Sequence, residues 1–140
     1  MLGRLAGGYL SFKGRIGRKS YWLRSASAGF VVGLLGLCAL GLRPSSPAGF
    51  VLLSALAIGL GAWISASLVV RRFHDHGRNG WAGLGALAAG AAIGSLGQYL
   101  GVGLPAMTLA SVVGLALFVY LGFVRGTKGD NAYGADPAGG

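Results

Sequence analysis

Four apolar runs, each about 19 to 23 residues long, divide this chain, and its polar residues are confined to the short stretches between them. The runs cover about 22–42, 48–70, 81–100 and 106–124. A hydrocarbon core of about 30 Å takes about 20 residues of helix to cross, and backbone groups in lipid are satisfied only within helices or closed barrels. The expected fold is therefore an all-α membrane protein: four transmembrane helices joined by short loops. Residues 1–140 form one membrane domain, with a basic segment over 1–21 and a tail over 125–140. Composition points the same way. Charged residues make up 11% of the chain, against about 25% in soluble domains, and mean hydropathy is +0.65. A cleavable signal is not expected, because the first run is too long for one and its charged approach is atypical.

Lysine and arginine are distributed unevenly. Arg4, Lys13, Arg15, Arg18 and Lys19 precede the first run, and Arg24 lies near its start. Arg71, Arg72 and Arg78 lie between the second and third runs, and Arg125 and Lys128 follow the fourth. Arg43 alone falls between the first and second, and none between the third and fourth. With four spans, 11 of the 12 cations share one side. Positive charge stays inside, so both termini are expected in the cytoplasm. The net charge of +9 then reads as a topology signal and an attraction to anionic lipid. It does not read as a nucleic-acid footprint, which needs a folded basic face away from the bilayer. Anionic membrane lipids are the expected partners, with a second copy or another membrane protein left open.

Glycine supplies 28 residues without a collagen period, which suits close helix packing in lipid. The third run is the extreme case. Ala86, Gly90 and Gly94 fall on one stripe, and this helix is expected to be the one most surrounded by protein. Tyr21, Trp22 and Trp81 fall at run boundaries, where interfacial aromatics belong. Leu2, Leu5, Tyr9 and Phe12 recur at helical spacing, so residues 1–12 are either a short interfacial helix or a frayed end. The lone Cys38 reads as a small apolar residue.

Chemistry is concentrated in the loop after the second run, where Arg71, Arg72, His74, Asp75, His76 and Arg78 crowd together. A carboxylate among so many cations is expected to be ionised and paired. Its available partners are Arg71, Arg72 and Arg78, or Arg15 and Arg18 from the first segment. The first reading is a salt-bridge lock between loop and N-terminal segment. The second is an anion or partner site built from Arg15, Arg18, Arg71, Arg72, His74, Asp75 and Arg78, because arginine suits bidentate phosphate contact. Gly77 and Gly80 would allow a tight turn around Asn79 whose amides face a phosphate. His74 and His76 form an H-x-H, but a metal needs three or four ligands. The chain has no glutamate and three aspartates, so no metal and no cofactor is expected. No catalytic spacing accompanies either histidine. The tail carries turn residues around Tyr133 and Gly134 that favour folding back onto the cluster.

Three motifs carry a family resemblance. The first reads Phe12, Gly14, Arg15, Arg18, Tyr21 and Trp22; the second Arg71, Arg72, His74, Asp75, Gly77, Gly80 and Trp81. The third reads Gly126, Gly129, Asn131, Tyr133, Gly134, Asp136 and Pro137. In this order they resemble the domain of unknown function 805 family of small bacterial inner-membrane proteins, which includes the YhaH-like proteins. The resemblance implies a four-helix inner-membrane protein without an established activity. The position of His76 is not usually histidine in that family, so an H-x-H site would be private to this chain.

The expectation is a non-enzymatic membrane protein whose cytoplasmic cluster binds anionic headgroups, phosphate or a partner protein. A small transporter or channel subunit is the alternative, with Ser65, Ser67, Gln98 and Thr108 as its polar path. A lipid-modifying enzyme using His74 and Asp75, or a factor acting by contact with another membrane protein, also stands open.

Overall fold

The computed structural model describes residues 8–137. Its regular structure is helical: α1 (Arg18–Leu42), α2 (Pro47–Asp75), α3 (Gly80–Tyr99) and α4 (Gly103–Phe123). The described residues contain no strand, only an isolated bridge between Asn131 and Gly134. All four helices are long and apolar enough to cross a membrane, and the protein is an all-α, multi-pass membrane protein.

Local chemistry sets the helix limits. Ser46 caps α2 by accepting from the Gly49 amide at 3.1 Å, and Pro47 supplies the preset first turn. Asn79 caps α3 through the Trp81 amide at 3.1 Å. The end of α2 departs from expectation. The segment 71–75 reads as loop because it is polar, yet it is helical and carries α2 to 29 residues. Polarity does not stop a helix. What stops this one is Gly77, with φ +66°, in a Schellman turn whose Arg78 amide bonds to Phe73 O at 2.9 Å. At 1.5 Å per residue α2 is about 43 Å long, more than a hydrocarbon core requires.

Successive helices pack side by side, while α1 meets α4 sparsely, around Trp22. The core lies at the end that bears the polar motifs and comprises Ile16, Tyr21, Ile64, Leu68, Val69, Phe73 and Leu121. Toward the other end, burial is confined to small residues such as Ala39, Ala57 and Gly97. Large side chains such as Phe30, 74% exposed, face outward, as lipid contact requires.

Two packing expectations are corrected. The helix most enclosed by protein is α2, not α3. Alanine and glycine offer α3 little side chain to bury, and Gly85, Gly90 and Gly94 have open space where a Cβ would be. Ala86 and Gly90 instead border a cleft of about 200 Å³ facing Ala110 and Gly114 of α4. Close approach occurs at Gly80 against Val70, Gly83 against Val69 and Phe73, and Gly97 against Ala106. Tyr21 and Trp22 also face protein: Tyr21 is buried, and Trp22 packs edge-on against Phe118 and Phe123. Trp81 is 75% exposed. Of the proposed N-terminal helix, Leu2 and Leu5 lie outside the described residues, and residues 8–10 are helical.

Candidate functional site

Asp75, in the last turn of α2, is the point at which the three polar motifs meet. It is 4% exposed. Arg72, one turn earlier on the same helix, pairs with Oδ2. Arg15 crosses from the segment before α1 to place Nε 3.2 Å and Nη2 3.1 Å from Oδ1. The Asp75 carbonyl accepts from the Thr127 amide at 2.8 Å and the Thr127 hydroxyl at 3.0 Å. The backbone at Gly126 lies against the Asp75 carboxylate, so closely that a Cβ there would overlap Oδ2.

Arg72 is fully buried and does more than pair with Asp75. The last four carbonyls of a helix have no partner within it, and in α4 these belong to Leu121, Gly122, Phe123 and Val124. Each receives a donor from elsewhere. Arg72 Nε donates to Leu121 O at 2.6 Å and Trp22 Nε1 to Gly122 O at 3.1 Å. Arg18 Nη1 donates to Phe123 O at 3.4 Å. Val124 O takes Arg72 Nη2 at 2.5 Å and His76 Nε2 at 3.2 Å. The last turn of α4 has no basic residue of its own. The cations of α1 and α2 therefore cap it and complement the negative end of its dipole.

Arg15 does the same for the tail. Its Nη1 donates to Gly129 O at 2.7 Å and Gly134 O at 3.2 Å, and Nη2 to Thr127 O at 2.7 Å. Asn131 Nδ2 reaches back to His74 O at 3.0 Å. Tyr133 stacks flat on the His74 ring, with centroids 4.1 Å apart. The tail folds back on the cluster.

The two histidines of the H-x-H are engaged separately. His74 Nδ1 donates to Gly14 O at 3.3 Å. His76 leans on Tyr120, centroids 4.7 Å apart, which also lies 6.0 Å from the Arg78 guanidinium. Burial pushes the His76 pKa below its ordinary 6.5; the bond to Val124 O opposes this, Arg72 adds to it, Asp75 opposes it and Arg78 adds to it. Its Nδ1 is buried without a partner, so a proton there gains no bond. Among the described residues no three His, Cys, Asp or Glu converge as metal ligands. Gly80 packs on Val70, and the Asn79 turn is spent on capping α3. The polar residues named for a path are dispersed: Ser67 bonds to Tyr9 O, Gln98 to Met107 Sδ, and Thr108 to Leu104 O on its own helix.

Of the seven candidate residues, Arg15, Arg72 and Asp75 form the centre, while His74, Arg18 and Arg78 surround it. Arg71 points elsewhere, donating to Gly8 O at 2.8 Å. There it meets Arg24, whose Nη1 donates to the same carbonyl at 2.7 Å. In the sequence Arg24 stood out only as a cation near the start of the first run. The signal was an arginine placed inside an apolar run with no acid to explain it.

A family model described as "Protein of unknown function (DUF805)" matches residues 9–135. The chain belongs to the DUF805 family. It is similar to "Uncharacterized protein YiiR" of Escherichia coli (strain K12), 34% identical over 131 residues that cover 90% of this chain and 85% of that one. The protein of the same description from Escherichia coli O157:H7 gives the same figures. No solved structure matches. The DUF805 match spans all the interlocked residues, from Gly14 and Arg15 through Arg72 and Asp75 to Tyr133 and Gly134.

Proposed function

We propose that this DUF805 protein is a non-catalytic protein of the bacterial inner membrane, with both termini in the cytoplasm. Its interlocked cap serves as a rigid cationic platform for anionic headgroups of the inner leaflet. One observation carries the reading. Asp75 is consumed by Arg15 and Arg72, so the lock leaves no free carboxylate and keeps a net positive charge. Lys13, Arg18, Lys19, Arg78, Arg125 and Lys128 remain exposed around it. Each cation near an anionic surface contributes about 1 kcal/mol of attraction. The same cations lie on one side under a four-span topology, which supports the cytoplasmic assignment.

Two measurements test this reading. The first is native mass spectrometry of protein released from mixed phosphatidylglycerol and phosphatidylcholine micelles, where phosphatidylglycerol is expected to be retained preferentially. Equal retention overturns the reading. The second is a topology reporter fused after residue 137, expected to score cytoplasmic; an external score overturns the orientation.

A further inference from the structure

We propose that Arg24 and Arg71 form a binding site for the phosphate group of an anionic lipid. The inference rests on the reading above and gives that platform a defined site.

The two guanidinium groups come from different helices, α1 and the last turns of α2, and converge on one neutral acceptor, the Gly8 carbonyl, at 2.7 Å and 2.8 Å. Two like charges are thereby held side by side, and among the described residues neither has a carboxylate partner. Their repulsion at partial burial is unfavourable and is relieved by an anion. Arg71 Nε is buried and unbonded. Arginine carries five donors in a planar fork, and the contacts to Gly8 O spend one from each. The unspent donors match the oxygens of a phosphate.

The surroundings provide room and charge. Both arginines line a cavity of about 580 Å³, whose other lining residues include Arg15, Arg18, Lys19 and Ser20 and, among the described residues, none that is acidic. Its volume, well beyond that of a single small ion, favours a lipid headgroup. Arg24 lies six residues into α1, about 9 Å along the axis, next to Leu23, which is 72% exposed. The basic lining of the cavity thus lies beside apolar surface, a setting that suits a headgroup phosphate. One turn further from the cap on each helix, Ala28 on α1 and Leu68 on α2 line a mainly apolar cleft of about 210 Å³ between them. That cleft suits the first carbons of an acyl chain.

The test titrates detergent-purified full-length protein with dioctanoyl phosphatidylglycerol or inorganic phosphate, reading bound mass by native mass spectrometry. One lipid is expected at saturation, with affinity lowered tenfold or more, roughly the worth of a charged hydrogen bond, in both Arg24→Gln and Arg71→Gln. Circular dichroism checks that each variant remains folded, and because the two residues lie on different helices, either one alone reads the site. Unchanged affinity in a folded variant overturns the site. Inorganic phosphate displacing the lipid at equal concentration overturns the lipid assignment in favour of a free-anion site. Preference for phosphatidylglycerol that persists in both variants fails this inference while leaving the platform reading intact; absence of any preference in the wild type fails the platform reading itself.

Discussion

Gly126 lies flat against the carboxylate of Asp75, with no room for a methyl group between them. Gly126→Ala is therefore expected to lift the tail from the lock or displace Asp75 from its arginines. Overpacking of this kind costs about 1–3 kcal/mol. Thermal unfolding in detergent should show a clear fall in midpoint. Gly85→Ala, which faces open space, should leave it unchanged. Equal midpoints for the two variants would contradict the close contact.

Arg15 and Arg72 share Asp75 but are not equivalent. Arg72 is enclosed entirely and also supplies the cap for α4 at Leu121 and Val124. Breaking one partner of a buried pair costs about 3–5 kcal/mol. Arg72→Gln should lose at least that much, and Arg15→Gln less, because its other acceptors lie on the more exposed tail. A double-mutant cycle with Asp75→Asn should give coupling to both arginines. Additive effects for the Arg72 pair would mean that the ion pair contributes nothing beyond its separate contacts.

The imidazole of His76 supplies a pH dependence whose sign follows from its environment. Burial holds its folded pKa below 6.5, so just under that pH the unfolded chain binds a proton that the fold rejects. The stability involved is complete above pH 6.5 and is lost as the pH falls from there toward the lower folded value. Unfolding midpoints recorded from about pH 8 to 5 should decline on the acid side. His76→Asn should flatten the decline, and with three aspartates in the chain few other groups obscure it. An identical slope in the variant would rule out this account.

Glycines that look alike in sequence separate in the structure. Gly83 touches Val69 and Phe73, whereas Gly90 borders open space. Gly83→Ala should weaken the contact between α2 and α3 and lower the unfolding midpoint. Gly90→Ala should be neutral, or slightly stabilising through the higher helix propensity of alanine. A larger loss at Gly90 would return the packing role to the stripe of Ala86, Gly90 and Gly94.

How far the sequence speaks depends on which groups make the contacts. The four helices are legible because apolar length is a property of composition, and Asp75 is legible because it is a lone acid among cations. Selecting Arg15 and Arg72 from the available arginines is not, since most of their acceptors are carbonyls of Leu121, Val124, Thr127, Gly129 and Gly134. Every residue type carries a carbonyl, so no pattern marks them. The true end of α2 is hidden for a related reason. Charged side chains at 71–75 suggest a loop, yet only Gly77 alters the backbone. The glycine stripe on α3 misleads because periodicity places small residues on one face without saying whether a neighbour covers it.

The contact between Arg15 and the carbonyls of Thr127, Gly129 and Gly134 spans 112 to 119 residues, and this separation orders events during synthesis. Arg15 emerges from the ribosome before any of the four long helices, whereas its acceptors emerge after all of them. Until then Arg15, Arg72 and Asp75 lack the segment that covers them, and the final turn of α4 waits for its borrowed donors. Closing the cap thus waits until all four helices have been made, and a chain stalled before residue 127 leaves Asp75 and its arginines uncovered.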